Sequence, residues 1–302
     1  MKVLVTGGAG FVGSNVVKLL IDKGAEVFIL DDFSHANFKN LEGVKAEVIC
    51  GDILDEKIYD KLPELDGIIH EAAITDTLMS DDTRMMTVNY NGFKNVLEYS
   101  IKNNLRLVYA SSAATYGDGP APMVEDQKPQ PLNTYAYSKY MCDVLFAKYK
   151  SKLSKGIIGL RYFNVYGPGE YHKGSASSMT YQLYQQMKEG KKPRVFNYGD
   201  QKRDFIYVKD VARITVAALE SDKTAILNVG TACARSFNDI ISALNAALGT
   251  NLKADYFDNP YSAVYQDFTE ADGEKLEKVL GLKAEFSLED GVADYVKGYL
   301  LK

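Results

Sequence analysis

The stretch VLVTGGAGFVGSNVVKLL, residues 3–20, constrains the fold more than any other. It opens on the apolar run VLVT, passes through Gly7, Gly10 and Gly13, and continues with Val16, Val17, Leu20 and Ile21 at helical spacing. Gly24 then fits a helix C-cap. The segment predicts a strand, a glycine turn and a helix. In that setting Gly7 takes the tight turn, side-chain-free backbone admits a pyrophosphate, and Gly13 lets the helix pack closely. The helix N-terminus faces the negative charge.

The same alternation continues downstream. Short β-rich runs recur at EVFIL (26–30), AEVIC (46–50), GIIH (67–70), RLVYA (106–110) and GIIGL (156–160). Helical patterns lie between them, as with Val88, Val96, Leu97 and Ile101. Continuous apolar strands alternating with helices imply a parallel sheet covered on both faces, an α/β doubly wound (Rossmann) fold. After Arg161 the regularity weakens: residues 168–178 read as a loop, 179–188 as a helix, RDFIYVKDVA (203–212) as a strand and helix start, and ILNVG (226–230) as a strand. We therefore expect a dinucleotide-binding unit over 1–167, completed by about 203–230, and a smaller C-terminal α/β substrate domain from 168–202 and 231–302. Ser236, Asn238 and Ser287 are candidate helix starts, the last ahead of an apolar face of Leu288, Val292, Tyr295 and Val296.

Composition narrows the function classes. At 302 residues, with 46% hydrophobic and 25% charged residues and a formal net charge of -5, the chain reads as an ordinary globular protein of two packed units. The acidic balance and the lack of a basic run argue against nucleic-acid binding. Cys50, Cys142 and Cys233 are odd in number, widely spaced and in apolar sequence surroundings, which points away from a disulfide framework or a metal site and toward a reducing compartment. The apolar start MKVLV is cut short by Gly7 and Gly8, and no run is long enough to span a bilayer, so a cytoplasmic protein is expected.

Asp31 and Asp32 follow the second strand, about 20 residues beyond the glycine loop, where a carboxylate binds the adenosine ribose hydroxyls, and Asp31 is the better placed of the two. A carboxylate there favours NAD; a 2′-phosphate needs a compensating cation, and Lys39 is the one close in sequence. Asp52 follows the third strand and has two readings, a contact to the adenine amino group or a cap on the next turn.

TYAYSKY (134–140) holds three tyrosines and one lysine. Tyr135 and Lys139 are four apart and share a helix face, whereas Tyr137 points away, so Tyr137 and Tyr140 are expected in packing. An ammonium group beside a phenol favours the phenolate, which eases proton transfer near neutrality. Such a pair alone is most often a surface contact. YASSAATYG (109–117) supplies serines at the end of a parallel strand, where ligands of open α/β sheets gather.

Taken together, TGGAGFVG (6–13), HEAA (70–73), the serine-rich strand and YAYSK (135–139) resemble, in content and order, the extended short-chain dehydrogenase/reductase family. The resemblance implies Ser112, Tyr135 and Lys139 as catalytic residues, with Tyr135 as acid/base and Lys139 also on the nicotinamide ribose. It implies cofactor contacts at Gly7, Gly10, Phe11, Val12, Gly13, Asp31, Asp32, Lys39, Asp52, Ile53, Ala72, Ala73 and Asn89, with Asn89 also matching a structural position.

RYFNVYGPGEYHKGSASS (161–178), QKRDFIYVKDVA (201–212) and YQDFTEAD (265–272) narrow the resemblance to the branch of that family that epimerises nucleotide-linked heptose at C6. That branch implies a tightly held NADP, with NAD as the other option, an ADP-heptose or similar sugar nucleotide as substrate, a product used in lipopolysaccharide core synthesis, and a homo-oligomer. It also implies Lys173 as a further catalytic residue. Hydride leaves one face of the carbon and returns to the other, so the ketone must turn, and one acid/base group cannot reach its oxygen in both positions. Arg203 is expected to clamp the substrate pyrophosphate, and Asn164, His172, Ser175, Tyr265 and Gln266 to lie on the substrate side. Gly169 stands where the branch often carries arginine. The rival readings are a UDP-hexose 4-epimerase, a 4,6-dehydratase, disfavoured by Ala113 and Ala114, and a non-catalytic dinucleotide sensor.

Overall fold

The computed structural model describes residues 1–77, 79–258 and 268–302. Along the chain the strands are β1 (Lys2–Thr6), β2 (Glu26–Asp31), β3 (Glu47–Cys50), β4 (Gly67–His70), β5 (Arg106–Ser112), β6 (Ile157–Tyr162), β7 (Asn164–Tyr166), β8 (Arg194–Phe196), β9 (Lys202–Tyr207), β10 (Ala225–Val229), β11 (Ala234–Ser236) and β12 (Asp255–Phe257). The α-helices are α1 (Phe11–Asp22), α2 (Asp82–Met86), α3 (Gly92–Lys102), α4 (Thr134–Tyr149), α5 (Met179–Lys188), α6 (Val208–Glu220), α7 (Phe237–Leu248), α8 (Glu274–Leu280) and α9 (Leu288–Tyr295).

Seven strands form one parallel sheet in the order β10-β6-β5-β4-β1-β2-β3. The alternation of side chains along β1 divides the core. Val3 and Val5 point to one face, where they join Val16, Val17 and Leu20 of α1 and Val211 and Ile214 of α6. Leu4 points to the other face and meets Phe93, Val96 and Leu97 of α3 and Cys142, Leu145 and Phe146 of α4. Both faces are covered, as the unbroken apolar strands require. The strand order reverses between β1 and β4, which opens a crevice at the carboxyl ends of those strands.

Residues 82–102 are continuous helix with a π-turn, Thr87–Asn91, set between α2 and α3. Asp81 caps its start by accepting from the Arg84 N–H at 2.8 Å.

The strand expected at 203–212 does not enter the main sheet. β9 pairs in parallel with β7 and antiparallel with β11, and β10 alone brings the chain back to the edge of the main sheet beside β6. A separate core of Leu183, Tyr184, Phe205, Phe237, Ile240, Leu288 and Val292 forms around β9, and Phe11, the first residue of α1, is buried in it. The helix that follows the glycine turn thereby contributes to two cores. Ser236 starts α7 with a reciprocal cap, donating its N–H to Asp239 at 2.8 Å and accepting the Asp239 N–H at 3.1 Å, and Ser287 accepts from the Asp290 N–H at 3.1 Å to start α9. Asn238 is no cap: it lies inside α7 and its amide donates to the Tyr198 carbonyl at 2.8 Å.

Two further expectations are corrected. Only Cys142 is buried, while Cys50, at the end of β3, and Cys233, just before β11, are exposed. Tyr137 is 45% exposed and touches Tyr140 ring to ring on the surface of α4, so it packs no core. Among the described residues no helix is long and apolar enough to cross a membrane.

Candidate active site

A cavity of about 470 Å³ occupies the crevice, running from the glycine turn to the start of α4 and bounded on its outer side by residues 170–179. Gly7 sits at φ +69°, and a β-carbon there would lie 2.6 Å from the Ala72 nitrogen, so the turns after β1 and β4 meet backbone to backbone. A β-carbon on Gly13 would collide with the Gly7 carbonyl, which is why α1 can start so close to β1. Gly10, Phe11, Val12, Ala72 and Ala73 line the cavity beside this junction.

Asp31 ends β2 with its carboxylate buried. One oxygen accepts from the Ala9 N–H at 3.0 Å and the other from the Phe33 N–H at 2.9 Å. Burial raises its pKa, and these two backbone bonds only partly oppose that. Asp32 also borders the cavity but is exposed, and it accepts from the N–H and hydroxyl of Ser34 at 2.9 and 2.7 Å. Asp52 lines the cavity while accepting from the Leu54 N–H at 2.9 Å, so it closes a turn at the same place. Ile53 is buried beside it, against Gly92.

Two expected cofactor contacts lie elsewhere. Lys39 is exposed on the short turn Phe38–Leu41 and does not line the cavity, because that turn carries its side chain outward. Asn89 is buried in the π-turn. Its amide accepts from the Ile74 N–H at 2.8 Å and donates to the Ile74 carbonyl at 3.0 Å and to Ser138 Oγ at 2.9 Å. It ties the loop after β4 to α4, one residue from Lys139, and thus positions the site from behind.

Helix α4 starts where Asn133 accepts from the Ala136 N–H at 2.8 Å. That start sets Tyr135 and Lys139 on the cavity wall. Lys139 is 4% exposed, and its Nζ donates to the carbonyl of Ala110 at 2.9 Å, near the end of β5. Ser112 closes β5; its Oγ accepts from the Ala114 N–H at 3.1 Å and keeps its own proton to donate into the cavity. Behind this group, Asp143 stands one turn beyond Lys139 and accepts from the Tyr109 hydroxyl at 2.8 Å and from Arg161 Nε at 3.0 Å, with both ion-pair side chains 4% exposed. The pair joins α4, β5 and β6.

Another part of the wall comes from Glu170, His172, Lys173 and residues 176–178. Gly169 takes φ +101°, a conformation that an arginine would adopt only with strain, and its carbonyl accepts from Asn40 Nδ2 at 3.1 Å. Asn15 Nδ2 donates to the Pro168 carbonyl at 2.8 Å. Glu170 is fully buried and accepts from the Gly167 N–H at 3.0 Å and from the N–H and hydroxyl of Ser178 at 2.6 and 2.9 Å. Its own carbonyl accepts from the Lys173 N–H at 2.9 Å. Lys173 is thus held on the cavity wall, with Nζ 5.7 Å from the Phe11 ring centre. Burial lowers its pKa, against the charges of Glu170 and Asp76.

The remaining expected substrate residues divide. Asn164 lines the cavity and accepts from the Thr269 hydroxyl at 3.5 Å. His172 lines it at the Asp31 end, with Nε2 3.1 Å from the His35 carbonyl, so it faces the dinucleotide half instead of the substrate half. Ser175 is exposed and off the wall. Arg203 is buried in β9, donating to the Lys202 carbonyl at 2.9 Å, in register with Arg235 of β11. Tyr265 and Gln266 lie outside the described residues. Sequence reasoning missed Glu71, Glu170 and Tyr162, which all line the cavity. Their signal was a carboxylate or phenol set at the end of an apolar strand or next to a glycine turn.

Residues 3–230 match the profile of the NAD dependent epimerase/dehydratase family. The chain belongs to that family. Its fold is close to that of the ADP-L-glycero-D-manno-heptose-6-epimerase of Helicobacter pylori, at 37% identity over 98% of this chain and 95% of that one, with a TM-score of 0.92. It is similarly close to the UDP-N-acetylglucosamine 4-epimerase of Methanobrevibacter ruminantium, at 26% identity over 99% and 98% with a TM-score of 0.93. The UDP-glucose 4-epimerase of Thermotoga maritima matches at 28% identity over 100% and 99% with a TM-score of 0.92. The family is one of NAD-dependent enzymes acting on sugar nucleotides, and the residues present fit a nicotinamide dinucleotide: side-chain-free backbone at Gly7 and Gly10, the open N-terminus of α1, and the Asp31 carboxylate at the end of β2.

Proposed function

We propose that this enzyme inverts C6 of ADP-D-glycero-D-manno-heptose to give the L-glycero epimer, with Tyr135 and Lys173 as proton carriers on two sides of one cavity. The observation that carries the reading is the presence of Lys173 on the wall of the same cavity as Tyr135, on a segment separate from α4 and fixed by Glu170. Identity to the heptose epimerase, 37% against 26% and 28% for the two UDP-sugar enzymes, supports the same choice.

When bound, the nicotinamide dinucleotide supplies the hydride acceptor and donor for the alcohol carbon. The protein's own part is proton transfer and orientation. Ser112 Oγ donates to the substrate oxygen and aligns it with Tyr135, whose phenolate takes the hydroxyl proton while Lys139 stabilises the charge. After the ketone turns, its oxygen faces the other wall, where Lys173 gives a proton. The lowered pKa of Lys173 suits it to exchange a proton nearer neutrality than an exposed lysine does.

We read the cofactor as NAD in preference to NADP. Asp31 presents a buried carboxylate where a 2′-phosphate would lie, and Lys39, the cation expected to offset it, stands outside the cavity.

The test is incubation of the purified protein with ADP-D-glycero-D-manno-heptose and, separately, with UDP-glucose, followed by resolution of the epimers. Interconversion at C6 is expected in the first and none in the second. The UDP-hexose 4-epimerase reading, favoured by the equal TM-scores of the UDP-sugar enzymes, predicts the reverse and makes no demand on Lys173.

A further inference from the structure

Glu71 is a carboxylate of the cavity wall that the mechanism above leaves without a task. It directly follows β4, its N–H donates to the Thr6 carbonyl at 3.0 Å, and its side chain lines the cavity. The Tyr162 hydroxyl, from the end of β6, donates to Glu71 Oε1 at 2.7 Å, and the same phenol oxygen lies 2.8 Å from Thr215 Oγ1 of α6. A chain of three side chains from three elements fixes this carboxyl in place. Among the described residues Glu71 forms no salt bridge, and Lys139 acts on it only at longer range.

Lys139, whose charge reaches the Glu71 carboxyl, lines the same cavity as Tyr135, so the reactive ring of a dinucleotide comes within reach of Glu71 if the alcohol carbon is to meet both ring and phenol. The ring carries one positive charge when oxidised and none after it has accepted a hydride. A fixed carboxylate beside it binds the two forms unequally. We propose that Glu71 is a positioning residue for the cofactor's redox state: its charge, held by Tyr162, favours the oxidised dinucleotide over the reduced one. The proposal rests on the reading that a nicotinamide dinucleotide fills this cavity.

A pH dependence follows. Burial pushes the Glu71 carboxyl up to about 7, with the Tyr162 hydrogen bond and the Lys139 charge pulling the other way. The titratable and charged groups that act on it are Lys139 from α4 and Tyr162 from β6, while the preceding His70 of β4 turns away to Thr6 and Phe93. Burial and Lys139 hold His70 down to about 3, so its imidazole stays neutral, and burial beside Glu71 keeps Tyr162 a phenol. Above neutrality Glu71 is charged and oxidised dinucleotide gains; as pH falls through the transition that preference is lost.

The test is calorimetric titration of NAD⁺ and NADH into the nucleotide-free full-length protein at pH 6 and pH 8. In the parent, the ratio of the two affinities should move toward NAD⁺ by roughly tenfold from the lower to the higher pH, the effect of one nearby charge. In Glu71→Gln the ratio should stay flat. Tyr162→Phe, which keeps the carboxyl and removes its donor, should move the transition to higher pH, and it tests the idea even if the glutamine variant fails to fold. A ratio that does not vary in the parent, or that varies equally in Glu71→Gln, overturns the role of Glu71. Absence of binding by either nucleotide instead overturns the reading of the cavity.

Discussion

The Nζ of Lys139 donates to the carbonyl oxygen of Ala110 at 2.9 Å, joining the middle of α4 to the end of β5. The bond fixes an ammonium group, one helical turn beyond Tyr135, to the strand that ends in Ser112. Three candidate catalytic side chains thus share one rigid corner of the cavity, and Asn89 and Asp143 brace that corner from behind.

Removing the phenol should separate chemistry from binding. Tyr135→Phe keeps the ring and the helix, so dinucleotide affinity should change by less than about threefold, while turnover falls by roughly 10²–10⁴, the usual worth of a general acid/base. Parallel titration and turnover measurements check this. Unchanged turnover would favour a non-catalytic dinucleotide sensor.

Lys173 should leave a mark on the pH profile. Burial lowers its pKa, so its neutral amine forms at a pH below the ordinary lysine range. If the neutral amine acts as a base in one direction of the reaction, kcat in that direction should rise with pH ahead of that range and level off above the lowered pKa. Lys173→Met should lack that limb and keep whatever dependence Tyr135 confers. Initial rates from pH 6 to 10 in both directions supply the comparison.

Asp31 should set nucleotide choice. The parent is expected to bind NAD at least about tenfold more tightly than NADP, since a 2′-phosphate beside a buried carboxylate pays like-charge repulsion. Asp31→Asn should narrow that gap, chiefly by weakening NAD. Binding titrations with both nucleotides decide it, and equal affinities in the parent would contradict the reading.

The buried Asp143 and Arg161 pair should matter to stability more than to binding. Its side chains are almost wholly buried, and Asp143→Ala removes the carboxylate that the guanidinium pairs with. The expected cost is about 3–5 kcal/mol. Denaturant unfolding of the parent and the variant measures it, with a value under about 1 kcal/mol counting against the account.

The fold was legible because its signals are local. An apolar strand, three glycines and a helical repeat specify a βα unit within residues 3–20, and the later strands repeat the pattern. The Tyr135 and Lys139 pair was legible for the same reason, since helical spacing alone puts both on one face. Residues whose part depends on a turn or on distant packing were not. Lys39 is close to Asp31 in sequence, yet the turn Phe38–Leu41 carries it away from the cavity. His172 stands beside Lys173 in sequence, but successive residues of a tight turn diverge, and it faces the Asp31 end. Arg203 belongs to a strand whose partner is β11, a pairing no local pattern reveals. Glu71 was visible within HEAA, but its bond to Tyr162 spans 91 residues.

The measurement that bears most directly on the two-carrier mechanism is the rate of C6 epimerisation of ADP-heptose by Lys173→Met, with dinucleotide and substrate affinities determined on the same preparation. The account predicts a fall of roughly 10²–10⁴ in kcat with both affinities within about threefold of the parent. A variant that epimerises at the parental rate would contradict it.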